Sequence, residues 1–354
     1  MTLSNLTQWL DASAQGLDTG EQDAEQIVTR LAASGALAFG VPAGQGGCGD
    51  VVDALNAIAE VASHSLTAAF VFWGQRAFIE YLLHSDNARL RETLLPGLLS
   101  GELAGATGLS NAMKFLSGIE ELGVKAAANA EGWELTGRLP WVTNLRKSGF
   151  VVAAAIELQG AKPFVAAIPD NLPGLERSED FQLLGMQCSN TAALTLDRVD
   201  LPDKWLLAAD AKPFLQAVRP AFLGMQCGMA IGLARASLDE ARQLLGAHRS
   251  VLEADWASLD QRLERAAGQL RHGLRQGYFT QQPAALFRLR IELAEIATQA
   301  VQLELQASGG KAYVQPHGQA FARRFRESAF VPVVTPSLVQ LRTELRKHGQ
   351  DAAA

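Results

Sequence analysis

The hydrophobic period changes twice along this chain, and that order limits the fold more than any single motif. Residues 1–103 carry a helical period. In EQDAEQIVTRLAAS (21–34), Ile27, Leu31 and Ala32 share one helix face. In VVDALNAIAEVAS (51–63), Val52, Leu55, Ile58 and Val61 or Ala62 share another, with Asp50 placed to cap the start. LTAAFVFWGQRAFIEYLL (66–83) is apolar nearly all round and belongs in an interior. The glycine-rich FGVPAGQGGCGD (39–50) must be a loop. After about residue 104 the period falls to two. Two alternating runs in 124–144 flank a Glu131-Gly132 turn; 150–168 repeats the design around Gly160, and 191–199 alternates again. Short strands with regular turns predict an antiparallel barrel or sandwich. From about 206 helices return in four long segments, roughly 213–246, 252–276, 283–308 and 318–348. Pro283 suits the first turn of the third, and Gly309-Gly310 ends it. Only the terminal DAAA looks frayed. The expected class is α+β, mostly α. An N-terminal helical domain (1–103) precedes a middle antiparallel β-barrel domain (104–205) and a C-terminal four-helix bundle (206–354).

Composition narrows the function classes. With 354 residues, 48% apolar and 19% charged, the chain is expected to be soluble and globular, with two or three domains. A net charge of −6 gives no basic face for nucleic acid. Arg262, Arg265, Arg271 and Arg275 recur at helical spacing among acids and leucines, as a solvated helix face does. Cys48, Cys188 and Cys227 are scattered, with no metal or redox spacing, which suits a reducing cytoplasm and predicts no metal site. The start, MTLSNLTQWLDASAQG, carries an acid and no basic residue, unlike a signal peptide. The longest apolar run, 221–234, lies between Arg219 and Arg235 and is too short for a bilayer, so no membrane partner is expected.

GRLPWVTNL (137–145) sets Trp141 and Thr143 two residues apart at a strand end, where alternation would turn both to one face. The pair is either ordinary half-buried strand packing or a ring and a hydroxyl presented to a ligand.

Six segments in order carry a resemblance. GVPAGQGGCGD looks like a Pro-x-x-x-Gly-Gly-x-Gly loop, and LLPGLLSGELAGATGLS (94–110) like a Pro-x-Leu-x-x-Gly-Glu segment entering a flavin loop. GRLPWVTN matches a Gly-x-x-x-Trp-Ile-Thr-Asn strand, and LGMQCSNTAALTLDRVDLP (184–202) the strands that follow. QASGGKAY (306–313) and ARRFRES (322–328) match Gly-Gly-x-x-Tyr and Arg-x-x-Arg-Asp elements. Over nearly its whole length the chain resembles the acyl-CoA dehydrogenase superfamily. That resemblance implies a flavin, FAD or alternatively FMN, and a small acyl thioester or similar substrate. Thr143 would donate to flavin N5, Trp141 would cover the ring edge, and Thr107 would bond the pyrimidine end, with backbone amides around 105–107 facing its carbonyls. Gly309 and Gly310 would let the bundle approach a neighbouring subunit's cofactor, in a homodimer or homotetramer. Arg249, in AHRSVL (247–252), would keep the charge of an Arg-x-Phe-Gly motif that reaches a neighbour's pyrophosphate. An electron acceptor or flavin reductase would be the protein partner.

The pattern breaks at the base. Counting from Arg326, the family's glutamate falls on Thr335, whose hydroxyl is too weakly acidic to serve unaided. No carboxylate lies between Glu327 and Glu344, nor from Lys212 to Leu238, where some relatives carry theirs. Glu327 itself is expected to pair with Arg323 or Arg324 on a helix face. NAMK (111–114) replaces a Gly-Ser-Asp. Besides a dehydrogenase, two readings stay open: a monooxygenase on the same fold using reduced flavin and oxygen, and a scaffold that has lost its chemistry. The Thr335-Pro336 turn looks like turns of the former, although Val334 stands where a histidine often precedes it. His317 is expected on a surface loop.

Overall fold

A computed structural model describes residues 3–116, 118, 120–246 and 249–347; the terminal DAAA lies outside the described residues. Five helices open the chain: α1 (Leu3–Thr19), α2 (Gln26–Ala33), α3 (Val51–His64), α4 (Leu66–His84) and α5 (Ala88–Ser100). Asp50 caps α3 as expected. Its carboxylate accepts from the Val52 and Asp53 amides, and Asp53 accepts in return from the Asp50 amide at 2.8 Å. Every residue of α4 from Leu66 to Leu82 is buried, the outcome of its all-round apolar surface.

The middle segment holds β1 (Ala104–Thr107), α6 (Ser110–Leu116), β2 (Val124–Ala128), β3 (Gly132–Val142), β4 (Phe150–Leu158), β5 (Phe164–Pro169), β6 (Leu175–Arg177), β7 (Ala192–Pro202) and β8 (Leu206–Ala208). The strands form one sheet in the order β6-β7-β3-β2-β4-β5-β8, with β1 beside β4. The sheet is mixed rather than antiparallel, because β4 runs parallel to both β1 and β2. Alternation in sequence reports which face is buried, not the direction of the neighbouring strand. β4 shows how the sheet is seated. Phe150, Val152, Ala154 and Ile156 enter the core within the β segment, whereas Val151, Ala153 and Ala155 enter the helical core. A strand covered on both sides loses its polar alternation.

The C-terminal helices are α7 (Ala211–Leu244), α8 (Glu253–Arg275), α9 (Tyr278–Gln281), α10 (Pro283–Ser308), α11 (Gln319–Phe330) and α12 (Leu338–Lys347). α7 packs along α3 and α10 and against α4, so both helical segments share one continuous core. Its apolar stretch is buried among these helices. A Cβ on Gly232 would stand 2.1 Å from the Ala59 carbonyl, so only glycine permits this approach of α7 to α3. The expected fourth long helix, 318–348, is two helices. Pro332 and Pro336 fall between α11 and α12; proline lacks the amide a helix needs and turns the preceding residue away from helical geometry.

Candidate functional site

Gln75, in the middle of α4, fixes the strand ends above it. Its Oε1 accepts from the Gly105 amide at 2.7 Å and from Asn144 Nδ2 at 2.8 Å. Its Nε2 donates to the Leu98 and Leu103 carbonyls, each at 2.9 Å. Asn144 adopts a left-handed backbone, φ 58°, and donates from Nδ2 to the Gly105 carbonyl as well. The Asn144 and Leu145 amides donate to the Ser189 and Asn190 carbonyls. The ends of β1 and β3 and the segment before β7 are thereby tied to one helix.

This framework brings together residues from three separate motifs. Thr107 and Thr143 pair as an antiparallel bridge. Thr107 Oγ1 lies 2.8 Å from the Tyr81 hydroxyl, and Thr143 Oγ1 lies 2.9 Å from Thr191 Oγ1. Thr191 Oγ1 is in turn 2.8 Å from Ser189 Oγ. Thr107 and Thr143 are 3% and 5% exposed. Burial pushes the Tyr81 phenol far up, so it stays protonated. Trp141 is 58% exposed and meets Phe181 edge-on at 4.6 Å. Its exposure contrasts with the burial of Thr143; β3 shifts register between Leu139 and Val142 and ends there. The Gly105 amide, expected to face a ligand, is taken by Gln75.

The remaining expected positions fall into two other groups. Arg249 begins the turn before α8, and a Cβ on Gly309 would stand 3.7 Å from Arg249 Nη2. Gly309 has φ 62°, and Gly310 faces open space. Exposed Val251, Tyr313 and Val314 lie next to this group in sequence. Thr335 sits in the loop between α11 and α12, where its carbonyl accepts from Gln226 Nε2 at 3.0 Å. Gln226 Oε1 accepts from the buried Arg290, which also donates to the Val331 carbonyl.

Pro336 lines a small cavity of about 10 Å³ with Lys114, Arg219, Phe287 and Glu344. The Arg219 guanidinium lies over the Phe287 ring at 5.3 Å; burial pulls its pKa down, against the opposing pull of Glu344. The Glu344 side chain is 13% exposed, with Lys347 Nζ at 3.3 Å. Its Oε1 is buried, with that ammonium within ion-pair range and no hydrogen bond among the described residues. Sequence reading missed Glu344 as a pocket residue; the two prolines that break the last helix were the available signal.

Glu327 pairs with Arg323, both oxygens lying within 3.0 Å of its Nη1, but the pair is buried rather than on a helix surface. Glu327 also accepts the Leu66 amide at the start of α4. Arg324 pairs with Glu304, and Arg326 with Asp18. His317 is exposed, as expected. A cleft of about 630 Å³ opens between the end of α1, residues 180–188 and Arg326; none of the expected site residues lines it. Among the described residues no group of three or more His, Cys, Asp or Glu side chains could hold a metal.

No family model matches the chain. The "Probable acyl-CoA dehydrogenase YngJ" of Bacillus subtilis (strain 168) is 27% identical over 251 residues, covering 64% of each chain. The match therefore spans less than two thirds of that relative's length. Butyryl-CoA dehydrogenase from Megasphaera elsdenii superposes with a TM-score of 0.84 over 98% of this chain and 96% of its own, at 17% identity. KijD3, in complex with FMN and a dTDP-linked amino sugar, superposes with a TM-score of 0.80 over 98% and 91%, at 20% identity. The fold is that of the acyl-CoA dehydrogenases, helices at both ends around a sheet. In sequence the chain is similar, over 64% of its length, to a protein named as a probable acyl-CoA dehydrogenase.

Proposed function

We propose that this protein is a flavin-dependent oxidoreductase acting on an acyl thioester or a related small substrate. The observation that carries the reading is the Thr107–Thr143 bridge beside an exposed indole, assembled from two sequence motifs 36 positions apart (143 − 107). A bound flavin supplies a two-electron acceptor at N5. The residues fit such a ring: two buried threonine hydroxyls offer donors, and Trp141 offers a partly exposed indole. Thr143 would donate to N5 and Thr107 to the pyrimidine end. Arg249, Gly309 and Gly310 stand apart from this pair and would serve a neighbouring subunit's cofactor in a homodimer or homotetramer. FAD is the expected cofactor, with FMN the alternative. The three unpaired cysteines suit a reducing cytoplasm.

The proton-removing group is the weak point of the family pattern. Thr335 contributes its carbonyl to Gln226, and the carboxylate beside the same turn is Glu344. In this reading Glu344 takes the α-proton of the thioester when the substrate opens that cavity. A second reading, a monooxygenase using reduced flavin from a separate reductase, is favoured by the threonine at the base position, since that chemistry needs no carboxylate there.

Titration with FAD and FMN tests the cofactor first; absence of uptake of either ends both readings. Anaerobic bleaching of the bound flavin by an acyl-CoA supports the dehydrogenase. A need for external reductant, followed by oxygen-dependent reoxidation with substrate hydroxylation, supports the monooxygenase instead.

A further inference from the structure

Two hydroxyl chains converge on the bridged threonines. Ser189, Thr191 and Thr143 form one, with oxygens 2.8 and 2.9 Å apart. Tyr81 and Thr107 form the other, at 2.8 Å. A hydroxyl carries one proton to donate and two lone pairs. Three hydroxyls joined by two contacts leave one proton unspent, and two joined by one contact leave another. An unmet buried donor forfeits the bond it made to water, so each chain calls for an acceptor.

The surroundings fix where those protons lie. Tyr81 is fully buried among Phe78, Phe214 and Phe222, whose rings offer no strong acceptor. Its proton therefore goes to Thr107, whose oxygen already accepts from the Leu109 amide, and the proton left over is that of Thr107. Ser189 is likewise fully buried, with Thr191 its hydrogen-bonding partner. The chain runs Ser189 to Thr191 to Thr143, and the proton left over is that of Thr143.

We propose that Ser189, Thr191 and Tyr81 are positioning residues that fix Thr143 and Thr107 as hydrogen-bond donors toward the flavin ring. This rests on the flavin reading above. Each donor in the chain polarises the next, which strengthens the last bond. The sign on the redox couple follows from N5. The oxidised atom accepts a hydrogen bond, whereas the reduced atom carries a proton and donates. A threonine held as donor therefore favours the oxidised ring. Without Thr191 the Thr143 hydroxyl turns freely and serves either state.

The test uses the full chain loaded with FAD, or with FMN if that binds instead. Thr191→Val is expected to raise the ratio of oxidised- to reduced-flavin dissociation constants about three- to tenfold. That change in ratio raises the bound two-electron potential by about 15–30 mV. Ser189→Ala should shift the potential in the same direction by less, and Thr191→Ser should restore it. Tyr81→Phe should also weaken oxidised-flavin binding. Unchanged potentials in flavin-loaded Thr191→Val and Ser189→Ala, with visible spectra like that of the parent, overturn the relay but leave the cofactor assignment standing. Failure of the parent protein itself to take up flavin overturns both, and is read before any variant is made. Should Thr191→Val not fold, Ser189→Ala decides the matter alone.

Discussion

Gln75→Leu is the perturbation that most directly tests the framework under the site. Leucine preserves most of the volume and the helical propensity of α4, so the loss is confined to hydrogen bonds. Gln75 makes four of them, all buried or nearly so. The Asn144 side-chain amide keeps the Gly105 carbonyl as its partner, so the groups left without one are the Gly105 amide and the Leu98 and Leu103 carbonyls. At about 1–3 kcal/mol for each stranded group, reduced by relaxation, the expected loss is about 3–5 kcal/mol. Urea unfolding of the parent and variant measures it. The strand ends that carry Thr107 and Thr143 lose their tie to α4, so flavin uptake should fall with stability. Gln75→Glu keeps the acceptor but loses both donors to carbonyls, and as a buried charge it should be at least as damaging. A Gln75→Leu variant within about 1 kcal/mol of the parent would show that α4 does not hold the strand ends through this side chain.

Glu344→Gln should lower acyl-CoA dehydrogenation by about 10²–10⁴-fold if Glu344 is the base, measured as flavin bleaching; an unchanged rate removes it from that role. Gly232→Ala should cost about 2–3 kcal/mol or more, because its methyl meets the Ala59 carbonyl, whereas Gly310→Ala should be nearly silent in the isolated subunit; equal unfolding midpoints for the two would contradict the α3–α7 packing. Burial pushes the Cys227 thiol up to about 12 from an unfolded value near 9. Between those values the unfolded chain loses the proton that the native state keeps, so this group's stabilising contribution is complete below pH 9 and declines by about 1.4 kcal/mol per pH unit above it. Cys227→Ala should flatten the alkaline limb of the stability profile. Under native conditions near pH 8, alkylation should label exposed Cys48 and spare Cys188 and Cys227.

Local signals were legible because their causes are local. The Asp50 cap, Pro283 at the start of α10 and Gly309 at its end each act within a turn or so of chain. The direction of β4 was not, since it depends on which strands become neighbours. The break between α11 and α12 was written in Pro332 and Pro336, but the apolar spacing of Leu338, Leu341 and Leu345 continued the helical pattern across it. The threonines of the candidate site were visible through their motifs. Their supports were not: Gln75 meets Asn144 across 69 positions, and Thr143 meets Thr191 across 48. One trace did exist. A glutamine inside a helix that is apolar nearly all round must find partners when buried, and Gln75 in FVFWGQRAF is such a residue.

The two departures, a threonine at the base position and a broken last helix, bear on each other. Continued as a helix from 318, the chain would carry Glu344 along the bundle and away from residue 335. Broken at Pro332 and Pro336, it turns so that Glu344 and Pro336 line one cavity with Arg219. A carboxylate absent from the turn can thus be replaced by one nine residues further on (344 − 335), provided the chain bends between them. The same bend is held from outside the loop: Arg290 grips the Val331 carbonyl, and Gln226 grips that of Thr335. Arg290 is buried, and desolvation pulls its pKa down; among the described residues no carboxylate bonds it, and Gln226 and the Val331 carbonyl are its hydrogen-bond partners. Burying a guanidinium without an anion is costly, and the geometry it enforces is the placement of the turn. A dehydrogenase needs that placement, because its base must reach the substrate carbon. A monooxygenase does not, so the Glu344→Gln rate decides which chemistry the held turn serves.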